Sequence, residues 1–187
     1  MLVFPTSGLY GLGADALSVA AVDRVFGIKR RPADMPVLVI VADRLMMDRV
    51  VGSLPAHAQG LLGVWPGGLT LVCQAADGVP YNLTGGTGKI GVRMPAHPVA
   101  RALVSAFGRP ITATSANLSG QAAPARVADL DPAVRSGVDM ILDAGRLAGG
   151  PGSTILDVTC RPVRMIREGA VKRSTIDRIL RTADSAN

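Results

Sequence analysis

The sequence predicts a mixed fold of strands and helices, α/β grading into α+β, built on a twisted mixed sheet flanked by helices. Two patterns predict it. Short runs rich in β-branched residues, such as 37–41, 69–73 and 90–93, recur along the chain. Between them lie segments with apolar residues at helical spacing or with clustered turn residues. A third observation bounds the answer: 187 residues with 48% hydrophobic content suffice for one substantial core.

The elements follow in order. Residues 2–4 read as a strand at the start of the chain. Residues 17–28 carry Leu17, Ala20, Ala21, Val25 and Ile28 on one helical face, with Asp15 placed to cap it. The unbroken apolar run 37–41 is a buried strand. Residues 55–64 form a helix that ends before Trp65-Pro66-Gly67-Gly68. Two strands, 69–73 and 90–93, flank a loop rich in glycine and threonine. A helix over 98–107 ends at Gly108. Residues 111–114 form a strand that runs into the polar turn 115–120. Strands at 139–142, 154–158 and 163–167 precede a last helix, capped by Ser174 and running to Leu180. The tail 182–187 is expected to be disordered, and the whole chain, 1–187, is expected to be a single domain.

Composition narrows the function. A formal charge of +6 favours anionic partners such as nucleotides or RNA. Aromatics make up only 3%, too few for a binder that reads single strands by stacking. The longest apolar run, 37–42, is far too short to span a bilayer, and the N-terminus lacks a secretory pattern. Cys73 and Cys160 are far apart and read as reduced, buried thiols of a cytoplasmic protein. His57 and His97 have no companions at ligand spacing, so no metal site is expected and both histidines are surface or structural.

Two glycine motifs are set aside. Gly11-Leu12-Gly13-Ala14-Asp15-Ala16 has the form of a dinucleotide fingerprint, but Pro5-Thr6-Ser7-Gly8 separates it from the strand that such a motif must follow. Gly86-Thr87-Gly88-Lys89 lacks the first glycine of a phosphate loop, and Ile90 replaces its Ser/Thr. Cations and hydroxyls near strand ends remain. Lys29-Arg30-Arg31 is followed by Pro32, which sets an extended turn able to aim basic side chains into a cleft. Arg93 closes a strand. Ser115-Ala116-Asn117-Leu118-Ser119-Gly120 follows another, as either a ligand contact or an ordinary Ser or Asx turn. Ser153 and Arg167 repeat the theme.

Together, these pieces resemble the YrdC family, the threonylcarbamoyl-AMP synthases. The resemblance runs in order through Pro5-Thr6-Ser7-Gly8-Leu9-Tyr10-Gly11-Leu12-Gly13, Lys29-Arg30-Arg31-Pro32, Trp65-Pro66-Gly67-Gly68-Leu69-Thr70 and Gly91-Val92-Arg93-Met94-Pro95. It continues through the 115–120 turn, Ser153-Thr154-Ile155 and Arg167-Glu168-Gly169.

The resemblance implies a concave basic groove and an adenylate-forming enzyme that converts L-threonine, bicarbonate and ATP to threonylcarbamoyl-AMP for a tRNA modification. It places Lys29, Arg31, Ser115, Asn117 and Arg167 at ATP, with Lys29 and Arg31 as the catalytic cations. Arg93, Ser153 and Thr6 fall at threonine. Magnesium would come with ATP. A downstream tRNA-modifying complex would take the product, with weak RNA contact and a monomer or homodimer as further expectations. Ser7 and Gly8 depart from the family pattern, in which an acidic and a small or hydroxyl residue often follow Pro-Thr, and Met35 and Ile40 stand where some members have polar contacts. The N-terminal helix and longer strand of the family, and its appended C-terminal domain, are not seen in the sequence. Two rivals stay open: transfer of a carbamoyl group to another acceptor, and a non-catalytic RNA-binding module.

Overall fold

The computed structural model describes residues 1–184. Its strands form two mixed sheets. The first is built on a hairpin, β1 (Leu2–Pro5) and β2 (Tyr10–Gly13), paired antiparallel so that Phe4 faces Gly11. β8 (Thr114–Ser115) adds to the β2 edge and β9 (Met140–Ile141) to the β1 edge, giving the order β8-β2-β1-β9. The second sheet has the order β11-β10-β5-β6-β3-β7, and β4 also pairs with β5. These strands are β3 (Val39–Ile40), β4 (Val51–Ser53), β5 (Leu69–Ala75), β6 (Lys89–Arg93), β7 (Ile111–Thr112), β10 (Thr154–Asp157) and β11 (Arg164–Arg167). The sheets meet where Thr112 N donates to Ala14 O (2.9 Å) and Ala14 N to the Thr112 hydroxyl (2.9 Å).

Helix α1 (Val19–Lys29) begins two residues later than the periodicity suggests. Its N-cap is Ser18, whose hydroxyl accepts from Ala21 N, whereas Asp15 accepts from Leu17 N and pairs with Arg109. Helix α4 (Pro98–Phe107) has the expected bounds: Pro98 needs no N–H in the first turn, and Gly108 takes the left-handed conformation, φ 68°, that ends it. His97 is its N-cap, accepting from Val99 N, so this histidine is structural. The helix expected over 55–64 is a 3-10 helix, Ala56–Val64, against which α6 (Arg173–Asp184) packs. Ser174 lies inside α6, not at its cap; Arg173 N donates instead to Glu168. Of the tail expected to be disordered, Thr182 belongs to α6, and 185–187 lie outside the described residues.

Several elements have no sequence counterpart: α2 (Arg44–Met47), α3 (Tyr81–Thr84), α5 (Pro132–Gly137), β4 and the 3-10 turn Val127–Asp129. Each has six residues or fewer, too few to show a period. Strand β2 also has no sequence counterpart, because it contains two glycines. They are there for space: a Cβ on Gly13 would lie 2.7 Å from the Phe4 ring and 2.8 Å from Ile111.

The apolar run 37–41 yields only two paired strand residues, but its backbone stays bonded on either side, Val37 N to Leu83 O and Val41 N to Arg93 O. Cys73 is buried and its thiol pushed up to about 12 by burial, while Cys160 is half-buried; both are free. Among the described residues no helix is long and apolar enough to cross a membrane.

Candidate active site

The two sheets enclose a cleft of about 640 Å³. Its floor follows from strand periodicity, in which alternate residues face opposite sides. Along β5, Leu69, Leu71 and Cys73 enter the core, while Thr70 and Val72 line the cleft. Along β6, Ile90 and Val92 go inward, and Lys89, Gly91 and Arg93 line the cleft. Leu156 of β10 is core, whereas Ser153, Ile155 and Asp157 line the cleft. The opposite wall comes from the β1–β2 turn and β8, through Thr6, Leu9, Tyr10, Gly11, Thr114 and Ser115.

The floor is polar at both ends and apolar between, at Val72, Gly91 and Ile155. One end holds Arg93, 8% exposed, and its Nε has no hydrogen-bond partner. Burial and the nearby Arg167 guanidinium push Arg93 down to about 10, still charged at neutral pH. Beside it, the hydroxyls of Thr70 and Ser153 share a 2.8 Å hydrogen bond. Arg167 donates from Nε (3.1 Å) and Nη2 (2.8 Å) to Ser153 O, lying across Gly152, where a Cβ would come within 2.8 Å of Nη2. At the other end, buried Asp157 accepts from Lys89 (3.1 Å), Arg164 (3.1 Å) and Thr159. Burial works to raise that carboxyl, but the Thr159 hydrogen bonds and Lys89 win, holding it at about 2.

The basic run after α1 does not act as one extended segment. Lys29 is the last helical residue and Arg30 the left-handed cap, φ 49°. Lys29 is 1% exposed, and its Nζ donates to Ser115 O (2.5 Å), Asn117 O (2.6 Å) and Asn117 Oδ1 (3.0 Å). An ammonium has three donors, so all are committed to the 115–117 loop. Burial and, secondarily, Arg31 push its pKa down to about 8.

Asn117 is equally engaged, accepting from the Ser115 hydroxyl (2.6 Å) and donating to Gln121 O (2.6 Å). Neither Lys29 nor Asn117 lines the cleft; Arg31, Arg93, Arg167, Ser115, Ser153 and Thr6 do. Arg31 is half-buried and held by Met35 O (3.0 Å) and Pro36 O (2.8 Å), and burial lowers its pKa. The Thr6 hydroxyl closes its own turn on Leu9 O (2.6 Å).

With this geometry in view, comparison with known proteins is decisive. The Sua5/YciO/YrdC family profile, described as "Telomere recombination", matches residues 1–169. The chain belongs to this family. It is 36% identical to the threonylcarbamoyl-AMP synthase of Pyrococcus abyssi over 96% of its length and 53% of that protein's. It is 34% identical to the Bacillus subtilis protein of the same name, again covering 96% of the chain and 53% of the relative. The crystal structure of P. abyssi Sua5 complexed with L-threonine superposes with a TM-score of 0.88 at 37% identity, covering 95% of this chain and 53% of that one. The chain thus spans about half the length of these curated relatives.

Within the family frame, the departure at Gly8 has a local reason. Its carbonyl accepts from Gly149 N (2.8 Å), and a Cβ there would sit 2.1 Å from Gly149 O. Met35 is exposed, and Ile40 is fully buried in the core, so neither is a polar contact. Sequence reasoning missed Thr70, Lys89, Asp157, Arg164 and Tyr10 as cleft residues. Four of the five carried a usable signal, since strand alternation from Arg93 and Ser153 reaches Lys89 and Asp157, and the same rule applied to β5 and β11 finds Thr70 and Arg164.

Proposed function

We propose that the cleft binds L-threonine and ATP and, with bicarbonate, forms threonylcarbamoyl-AMP. The observation that carries the reading is Arg93, a buried guanidinium at the cleft floor with an unpartnered Nε and two hydroxyls beside it. A buried cation without a carboxylate partner is unfavourable alone and becomes favourable when an anionic ligand supplies one. The carboxylate of an amino acid matches it, and the Thr70–Ser153 pair can read the polar groups of that amino acid. The synthase names and the threonine complex of the relatives support the same assignment.

In the chemistry, the amine of threonine adds to bicarbonate with loss of water, giving an N-carboxylate. Its oxygen attacks the α-phosphorus of ATP, a P–O bond forms, and the bond to pyrophosphate breaks. Negative charge spreads over phosphoryl oxygens, so the reaction calls for fixed cations and hydrogen-bond donors and no nucleophilic side chain. Arg31 and Arg167, at the cleft wall and floor, are the cations proposed for phosphates, with the Ser115 hydroxyl as a directional donor. Lys29 and Asn117 serve ATP by holding the 115–117 loop. Thr6 shapes the turn above threonine.

Magnesium would arrive with ATP: the carboxylate lining the cleft, Asp157, already has both oxygens bonded, and no cluster of three or more metal-ligating side chains exists among the described residues. A tRNA-modifying transferase in the cytoplasm is the proposed consumer of the product. Purified protein with ATP, magnesium, bicarbonate and threonine should release pyrophosphate. Omitting threonine or bicarbonate should stop it, and an equal rate without threonine would overturn the proposal.

A further inference from the structure

The cleft has one wall on each sheet, and the chain crosses between the sheets three times, from β2 to β3, from β7 to β8 and from β9 to β10. After β9 the chain leaves the first sheet, and residues 142–153 carry it to β10 of the second. Beyond Leu142, whose N–H donates to Val3 O (2.9 Å), this strap is fastened back to the β1–β2 hairpin at two places. Gly149 N donates to Gly8 O (2.8 Å), at an approach so close that only glycine fits at position 8. Four residues earlier along the strap, the Tyr10 hydroxyl meets Gly145 O (2.7 Å) and Asp143 Oδ1 (3.0 Å), and accepts from Ala144 N (2.9 Å). Asp143 in turn accepts from Gly145 N (2.8 Å), and Leu147 N donates to Ala125 O (2.8 Å).

Tyr10 is fully buried, one of the two largest such side chains, and it also lines the cleft. Its ring packs in the smaller core with Val3, Leu12, Val25 and Val134, so the hydroxyl is held from a rigid base. Burial, and then the neighbouring Asp143 carboxylate, raise its pKa against the opposing pull of the Ala144 N–H, so the phenol keeps its proton at neutral pH. With one proton and lone pairs for an incoming N–H, the hydroxyl can donate to Gly145 O and accept from Ala144 N at once. The strap itself is rich in glycine (Gly145, Gly149, Gly150 and Gly152, the first three at positive φ) and its residues are largely exposed. Such a segment has little stiffness of its own and depends on its fastenings.

We infer that Tyr10 is a positioning residue for amino-acid binding. Its hydroxyl latches the strap to the first sheet and, with the sheets already joined at Ala14–Thr112 and at the β7–β8 junction, sets the distance between the Thr6–Tyr10 wall and the Ser153–Arg93 floor on the strap's side of the cleft. The ligand class is a small α-amino acid whose side chain must fit between those surfaces, so the inference rests on the proposed function. A loosened latch widens the pocket at the amino acid and leaves the Arg31–Ser115 side of the cleft, braced by Lys29, unchanged.

The test uses the full chain with Tyr10→Phe and, because the tyrosine is buried, the surface change Asp143→Ala as a second variant. Steady-state pyrophosphate release should show the threonine KM raised about three- to tenfold, with kcat at saturating threonine and ATP KM within twofold of wild type. The ratio of kcat/KM for threonine over serine should fall. Hydrogen exchange followed by mass spectrometry should show faster exchange over residues 143–149 in both variants. Faster exchange with an unchanged threonine KM and an unchanged threonine-to-serine ratio would overturn the positioning role. A KM change without faster exchange would overturn the latch. Wild-type protein that turned over no threonine would overturn the proposed function instead, and the exchange measurement would still support or overturn the latch by itself.

Discussion

Arg93 and Lys29 are both cations buried at the end of a regular element, and the molecule uses them in opposite ways. Arg93 ends β6 on the cleft face, and the surrounding chain offers its Nε no acceptor. Lys29 ends α1 and is surrounded by acceptors from one loop, two carbonyls and an amide oxygen, which engage every proton it has. The difference teaches that burial of a charge does not by itself mark a ligand site. What marks it is a donor left over after the protein's own acceptors are counted. By that count Arg93 is open to an anion in the cleft, and Lys29, outside the cleft, is a brace.

Substitutions can break this contrast. The largest effect belongs to Arg93→Lys, which keeps the charge and loses the fork. A hydrogen bond to a charged group is worth about 1.5–3 kcal/mol, so the threonine KM should rise on the order of tenfold to a hundredfold. The ATP KM should barely move, and global stability should not fall. Kinetics with each substrate varied in turn would check this. The reverse result, ATP affinity lost and threonine KM unchanged, would mean that Arg93 serves phosphate.

Lys29→Met should show the opposite signature, a stability loss with indirect weakening of ATP. Asn117 O loses its donor, whereas Ser115 O keeps Asn117 N and Asn117 Oδ1 keeps the Ser115 hydroxyl. A buried unsatisfied group costs about 1–3 kcal/mol, so a drop of that size in urea unfolding is expected. Titration of Lys29 sharpens the point. Its folded pKa is about 8 against 10.5 for the free side chain, so between those values the unfolded chain holds a proton that the folded chain has released. The penalty for burying the charged amine is full below pH 8, and the Lys29 contribution to stability therefore rises with pH across that window. The neutral amine has two donors for three acceptors, however, so the 115–117 loop loosens over the same range. ATP KM should accordingly climb above about pH 8 in the wild type and stay flat in Lys29→Met.

The smallest effect is expected at Arg30. Its side chain is exposed at the left-handed cap of α1, and Arg30→Ala should change ATP KM less than twofold, whereas Arg31→Ala should raise it tenfold or more. Equal effects at the two positions would reduce the basic run to a diffuse electrostatic patch.

Much of this protein was determined by local rules that act on the sequence alone. Helix α4 begins at its proline and ends at its glycine because both residues act through their own backbone geometry. Arg93 and Ser153 reach the cleft because strand alternation, already visible in the apolar runs, sends their neighbours into the core. The motifs from Pro5 to Gly169, in order, were enough for the family. Tertiary structure alone decided the rest. The strands divide into two sheets that meet at the contact of Ala14 with Thr112, 98 residues apart, and no local pattern records such a pairing. Gly8 reads as a lost ligand contact until Gly149 is seen against it. Lys29 and Arg31 look alike in sequence, as cations two residues apart. Their roles separate because the fold brings a loop from residue 115 onwards to one of them and an open cleft to the other, and only three-dimensional proximity determines which donors are already taken.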